Sequence, residues 1–418
     1  MNYCKLYLKP KKEESLLRFH PWVFSGAVAS TVGNPGEGDI VEVYSANNQF
    51  LGIGHFQIGS IVVRILSFTP VMIDNSFWEN RMRQAYVLRR SLGLTGMEVY
   101  DKNEMKQSSL VDTSQKTEDA NNDTYRLIHG EGDSLPGLII DIYAHTAVIQ
   151  AHSVGMHYER KKIAEALRNV MGDALHRIFY KSEGTLPFKA ELGEENEYLF
   201  GGDNKEPNIA TENGIKFFID WHKGQKTGFF IDQRDNRSLL QQYSKNRSVL
   251  NMFCYTGGFS VYALRGGAVL VHSVDSSAKA IALANENVSL NFPEDKRHQA
   301  FAEDAFKFME NIDYKYDLIV LDPPAFAKHK SALRNALQGY RKLNAIVFKK
   351  IKPGGIIFTF SCSQIVSKND FRLAVFSAAA QSGRTVRILH QLSQPTDHPI
   401  NIYHPEGEYL KGLVLYVE

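Results

Sequence analysis

The sequence is short of cysteine. Its 418 residues contain three, Cys4, Cys254 and Cys362, far apart and odd in number. They can build neither a disulfide framework nor a closely spaced zinc site, which fits a reducing, cytoplasmic setting. Long apolar runs are missing too: no 18 consecutive apolar residues occur, so no membrane-spanning helix and no membrane partner are expected. The opening MNYCKLYLKPKKEE lacks the apolar core of a signal peptide. Charge of one sign is absent as well. Lysine plus arginine total 48 against 46 for aspartate plus glutamate, a net charge of +2. No global field therefore advertises a nucleic-acid partner, and such a role must rest on local patches. The glycine fingerprint G-x-G-x-x-G is not found, which sets a nicotinamide dehydrogenase aside.

What is present falls into three stretches, since 418 residues exceed one compact domain. Residues 1–73 read as short strands broken by glycine, the pattern of a small β-barrel. Lys9, Lys11 and Arg18 cluster near Phe19, Trp22 and Phe24, a mixture suited to RNA; the alternative is a core of aromatics with a solvated basic edge. Residues 74–204 read as a small α+β domain. It has a helix over 76–95 with Phe77, Met82, Tyr86, Val87 and Leu92 at helical spacing, and a hairpin in GLIIDIYAHTAVIQAH. The polar stretch 97–124 has little to bury and is expected to be a mobile insertion. From 205 to 418 apolar strands alternate with helices, which predicts a parallel sheet covered on both faces. Ligands of such sheets bind at the C-terminal strand edge.

The motifs sit at that edge. In NMFCYTGGFS the glycines let the backbone turn sharply beside a ligand, with Phe253, Tyr255, Thr256 and Gly257 as cofactor candidates. The next strand ends in Asp275, where an acid typically pairs with ribose hydroxyls. The third ends in Glu303-Asp304, within reach of an adenine edge; a lone acid there is also a common helix cap. In VLDPPAFAK, Asp322 precedes Pro323 and Pro324, which stiffen the loop. Such a loop can hold a flat base, and Phe326 could stack on it. The fifth strand closes in FTFSCSQ on Cys362. A lone cysteine is usually a small buried hydrophobe. Beside D-P-P it reads instead as a nucleophile: a thiolate adding to cytosine C6 makes C5 nucleophilic toward a methyl donor. Asp322 would stabilise the base as the thiolate adds. Cys254 and Cys4 read as packing.

These segments resemble the 23S ribosomal RNA cytosine-C5 methyltransferases of the RlmI type over nearly the whole chain. The resemblance is carried by LLRFHPWVFSGAV, YRLIHGEGDSLPGLIIDIY, GQKTGFFIDQRDNR, VLNMFCYTGGFSVYAL, DPPAFAK, TFSCS and EGEYLKGL, in family order. It implies an α/β chain with an N-terminal PUA domain, a middle α+β domain and a Rossmann-like class I methyltransferase domain on a mostly parallel seven-stranded sheet. It implies S-adenosyl-L-methionine as cofactor and no metal, large-subunit ribosomal RNA as partner, and pairing as a homodimer. Cys362 is the implied nucleophile, with Asp322 and Pro323 at the base and Gly257, Asp275 and Asp304 around the cofactor. Thr227, Phe229, Asp232, Gln233 and Arg234 are implied in the pocket. Many RNA cytosine-C5 methyltransferases carry a second cysteine in the D-P-P loop. Here Ala325 and Phe326 stand there, so the group that removes the C5 proton is open. Two alternatives are a guanine methyltransferase, which needs no cysteine at the fifth strand end, and a non-catalytic RNA-binding protein, which would not need Asp275, Asp304 or Cys362.

Overall fold

The computed structural model describes residues 3–95, 122–187, 192, 196–203, 207–327 and 329–418. The expected insertion over 97–124 lies outside the described residues up to 121, as does Lys328 of the D-P-P loop. The chain forms two compact units. The first holds Met1–Gly214, Ile219–Ile231 and Thr396–Gly407; the second holds Ile215–Phe218, Asp232–Pro395 and Glu408–Glu418.

In the first unit, residues 4–67 form a six-stranded sheet. Alternation puts Leu6, Leu8, Val41, Val43, Val63 and Ile65 inside, each buried almost completely. Each such side chain contributes about 1.5–3 kcal/mol of burial free energy before the entropy of ordering is counted. The following five-stranded sheet contains the expected hairpin, Leu138–Tyr143 paired antiparallel with Thr146–Ala151. Two helices cover it, Asn75–Ser91 and Arg160–Met171. Ile163, Leu167 and Val170 are buried as their spacing predicts.

The first of these helices departs from its reading. Phe77, Met82 and Tyr86 are buried, but Val87 and Leu92 are exposed. The inward position is taken by Arg89, which is 0% exposed. Its guanidinium grips Asp133 through both nitrogens, with Nη2 2.7 Å from Oδ2, and donates to the carbonyls of Arg126 and Asp397 at 2.8 and 2.9 Å. A buried arginine is tolerable only when its donors are so paired.

The second unit is built on a seven-stranded sheet, its strands numbered here in chain order. They are β1 (Ser248–Met252), β2 (Leu270–Asp275), β3 (His298–Ala302), β4 (Leu318–Leu321), β5 (Gly355–Ser361), β6 (Val386–Ser393) and β7 (Lys411–Val417). The order is β3-β2-β1-β4-β5-β7-β6. The first five run parallel, and β7 is antiparallel to both β5 and β6. The α-helices of this unit among the described residues are α1 (Arg234–Tyr243), α2 (Gly258–Arg265), α3 (Ala278–Asn291), α4 (Ala305–Phe308), α5 (Leu333–Lys350) and α6 (Lys368–Ser382). Strands β4 and β5 are buried at every residue, the mark of a sheet covered on both faces. The amphipathic α5 turns Tyr340, Leu343 and Val347 inward. The edge strand β6, with alternating partial exposure, was not read from the sequence. Among the described residues no helix is long and apolar enough to cross a membrane.

Candidate active site

The chain reverses order at the middle of the sheet, between β1 and β4, where the strand ends open a crevice for a ligand. Leaving β1, it turns through three left-handed residues: Phe253 at φ 58°, Tyr255 at 47° and Gly257 at 78°. Such conformations cost non-glycine residues on the order of 1–3 kcal/mol and collect at ligand sites. At Gly257 a Cβ would crowd that of Ala284 at 3.0 Å, in a left-handed conformation that favours glycine. The turn is tied down from its neighbours. Asp275 Oδ2 accepts the Tyr255 N–H at 3.0 Å, its Oδ1 accepts the Ser277 N–H at 2.9 Å, and Asn287 Nδ2 donates to the Thr256 carbonyl at 2.9 Å. Asp275 stays partly exposed, and each carboxylate oxygen keeps a lone pair for a further donor such as a ribose hydroxyl. Asp304 is exposed and caps α4, accepting the Lys307 N–H at 3.0 Å; the cap accounts for its side chain.

One strand over, Asp322 follows β4. Gln233 Nε2 donates to its Oδ2 at 3.1 Å, and Gln233 is itself fixed by Asn236 at 2.6 Å. Burial pushes the Asp322 carboxyl up to about 7. The negative charge of Asp232 adds to the rise, while Gln233 and Arg237 oppose it. Asp322 is therefore an acid that holds or releases its proton near neutrality. Pro323 is buried and Pro324 exposed. The Phe326 ring lies 4.7 Å from that of Tyr340, so it packs against the sheet-covering helix α5 rather than standing open.

Cys362 follows β5 and is half-buried. The serines on either side anchor it. Ser361 Oγ donates to the Tyr340 hydroxyl at 2.9 Å, and Ser363 Oγ donates to the Ala327 carbonyl at 2.7 Å, which joins the cysteine's turn to the proline loop. From β7, Lys411 donates to the carbonyls of Ser363 at 2.5 Å and Val366 at 2.6 Å. Burial lowers the Lys411 ammonium to about 8, against the opposing charges of Cys362 and Glu408. Tyr409, two residues earlier, donates to Asp232 Oδ2 at 2.8 Å.

The second unit thus brings together Asp232, Gln233, Asp322, Pro323 and Cys362, with Phe253, Tyr255, Thr256, Gly257 and Asp275 along the same strand edge; Arg234 is buried in α1 of that unit. Other candidates belong to the first unit. Thr227 is fully buried, donating to Asp141 at 2.6 Å and bonded to Tyr143 at 2.8 Å, and Phe229 is 3% exposed. Lys9 donates to the Gly26 carbonyl at 3.0 Å, Arg18 pairs with Glu14 on an exposed turn, and Lys11 is exposed at φ 64°. Arg89 of the helix Asn75–Ser91 is committed to Asp133. Lys411, Tyr409 and Tyr340 were not picked out as site residues. The signal for Lys411 was a lysine opening the apolar run KGLVLYV.

The sheet order, the glycine turn at β1, the acid at β2 and the proline loop at β4 define the class of S-adenosylmethionine-dependent methyltransferases. Residues 188–407 match that family, and residues 6–68 match the PUA-like domain. The glycine turn, tight against Ala284, and the Asp275 carboxylate fit the cofactor of this class, S-adenosylmethionine. Over nearly full length the chain is similar to proteins named ribosomal RNA large subunit methyltransferase I. The one from Aeromonas hydrophila is 38% identical, with 99% of each chain covered; that from Pseudoalteromonas atlantica is 39% identical at the same coverage. The chain belongs to this family. A solved methyltransferase complexed with SAH has the same fold at 22% identity and a TM-score of 0.80, over 99% of this chain and 100% of that one. A protein assigned as a SAM-dependent methyltransferase from Streptococcus mutans gives 0.79, at the same identity and coverage.

Proposed function

We propose that this protein forms 5-methylcytidine in large-subunit ribosomal RNA through a covalent bond between Cys362 and cytosine C6. The RNA class rests on the names of its relatives. The observation that carries the chemistry is Cys362 itself: a half-buried cysteine at the C-terminal end of β5, clamped by Ser361 and Ser363, beside the buried cation Lys411 and one strand from Asp322. A guanine methyltransferase would have no use for this thiol.

The target base has to leave its stack to reach the crevice. Pro323 and Pro324 stiffen one wall, and Asp322 faces the N3/N4 edge. With its carboxyl raised to about 7, Asp322 can donate to N3 at neutral pH. As the Cys362 thiolate forms its bond to C6, charge builds on the ring; the proton on Asp322 moves to N3 and neutralises it. The product is an enamine with a nucleophilic C5. S-adenosylmethionine, held by the Gly257 turn and Asp275, supplies the methyl group. Loss of the C5 proton then re-forms the C5–C6 double bond and expels the thiolate, and the N3 proton returns to Asp322. In the first unit, the PUA-like domain with Lys9, Lys11 and Arg18 supports a role in holding flanking RNA.

The test is methyl transfer from labelled S-adenosylmethionine to unmodified 23S ribosomal RNA, with products read by mass spectrometry. Label in 5-methylcytidine that disappears with Cys362→Ala is the expected result. Label in guanosine, or label that persists in the variant, moves the function to the guanine class.

A further inference from the structure

The step without an assigned residue is removal of the C5 proton, and an inference about it rests on the cytosine-C5 reading above. Asp232 immediately precedes Gln233 and α1. Its Oδ2 accepts from the Tyr409 hydroxyl at 2.8 Å, whereas its Oδ1 is enclosed and has no hydrogen-bond donor among the described residues. An enclosed carboxylate oxygen without a donor is costly to bury and calls for an explanation in function.

The surroundings of Asp232 tie it to the reacting groups. The next residue, Gln233, is bonded to Asp322, and the charge of Asp232 is felt at the Asp322 carboxyl. Its partner Tyr409 lies two residues before Lys411, whose ammonium grips the carbonyl of Ser363, next to Cys362. The other groups at the site are committed. Asp322 serves as the acid toward N3. Lys411 donates to two carbonyls. The Tyr340 phenol accepts from Ser361, and burial lifts it to about 12, so it keeps its proton.

We propose that Asp232 is the general base that takes the proton from C5 of the methylated adduct. As the C5–H bond breaks, its electron pair forms the C5–C6 double bond while the C6–S bond breaks and Cys362 leaves as a thiolate. The N3 proton returns to Asp322, and the C5 proton stays on the Asp232 carboxylate until it passes to solvent. Two carboxylates in different surroundings thus divide the work, Asp322 giving a proton and Asp232 taking one. The arrangement also shows how the chain can dispense with a second cysteine in the D-P-P loop.

The experiment uses the full chain, RNA carrying tritium at cytosine C5, and S-adenosylmethionine. Four quantities are read: cofactor binding by calorimetry, methyl label in RNA, tritium release, and protein–RNA adduct stable to denaturing gels. In Asp232→Asn, tritium release should lag on the order of 100-fold behind the methyl transfer that the same variant carries out. Methylated adduct should accumulate and vanish when Cys362→Ala is added. Asp232→Glu, which keeps a carboxylate, should recover part of the release rate. Tritium release by Asp232→Asn at the wild-type rate overturns the proposal. So does loss of cofactor binding without adduct in both Asp232 variants, which would make Asp232 a cofactor ligand. If wild type itself yields no 5-methylcytidine, the cytosine-C5 reading is what has failed, and this role for Asp232 falls with it.

Discussion

Two cysteines stand just past the ends of parallel strands in one sheet, and their surroundings differ in every respect that governs a thiol. Cys254 follows β1 by two residues and is 6% exposed. Burial pushes its thiol far up, and the negative charge of Asp275 pushes the same way. Its sulfur faces the Tyr255 carbonyl at 3.7 Å. Cys362 follows β5, remains partly open, and has the ammonium of Lys411 in its neighbourhood. A thiolate needs access and a nearby positive charge; the first site denies both and the second supplies both. Position at the sheet edge does not by itself make a nucleophile. The neighbouring side chain, an aspartate in one case and a lysine in the other, decides.

The sharpest way to break this comparison is to remove the reactive sulfur. Cys362→Ala should lower methyl transfer by about 1,000-fold or more, because no other group at the site can activate C5. Label transfer at the wild-type rate in this variant would reduce Cys362 to a packing residue like Cys254. Next in size is Asp322→Asn, which cannot pass a proton to N3 and should slow adduct formation by about 100-fold. The pH profile carries the sign. Asp322 acts in its protonated form, so wild-type adduct formation should fall as pH rises through about 7. That limb should be missing in Asp322→Asn. A limb that survives the substitution would have to be assigned elsewhere.

Much of this site was legible in the sequence for a simple reason. Parallel strands are apolar throughout, so their ends are marked by the first polar residue, and those ends carry the chemistry. Expected strands over 248–253 and 316–322 appear as Ser248–Met252 and Leu318–Leu321, and Asp275 and Cys362 fall where they were placed. What could not be read depends on contacts between distant segments. Tyr409 reaches Asp232 across 177 positions of chain, and Lys411 reaches Ser363 across 48. No local period announces such pairs. The same reason explains the misread helix Asn75–Ser91. Hydrophobic spacing favoured Val87 and Leu92 as inward residues. The buried place went instead to Arg89, because Asp133 lies 44 positions away with two oxygens to offer. The edge strand β6 was missed because its exposed face breaks the apolar run by which its neighbours were found.

Lys411 offers a smaller and more discriminating change. Its ammonium holds two carbonyls of the turn after Cys362 and contributes positive charge there. Lys411→Met keeps the length and apolar stem but removes the charge. Alkylation of Cys362 at pH 7 should slow about tenfold, the equivalent of roughly one pKa unit. In wild type the ammonium is itself lost as pH rises through about 8, so the difference between wild type and variant should close above that pH. A tenfold gap that stays constant across the range would mean that the lysine acts only by shaping the turn.

The smallest effect is expected at the other cysteine, and it tests the comparison from its quiet side. Cys254→Ala removes one sulfur from a site that is already closed to solvent. The strained neighbours Phe253 and Tyr255 are held by backbone bonds, Cys254 N–H to the Val274 carbonyl at 3.0 Å and Tyr255 N–H to Asp275 at 3.0 Å. Neither bond uses the thiol, so the turn should keep its shape. Only the packing of one small side chain is lost, a cost of about 1 kcal/mol in urea unfolding. Cofactor binding and methyl transfer should stay within about twofold of wild type, because the backbone that lines the crevice is unchanged. Alkylation stoichiometry of the native protein should also be the same with and without Cys254, since the sulfur is inaccessible. Loss of methyl transfer in Cys254→Ala at undiminished stability would show that the β1 cysteine takes part in the reaction, and the division between the two strand ends would have to be drawn elsewhere.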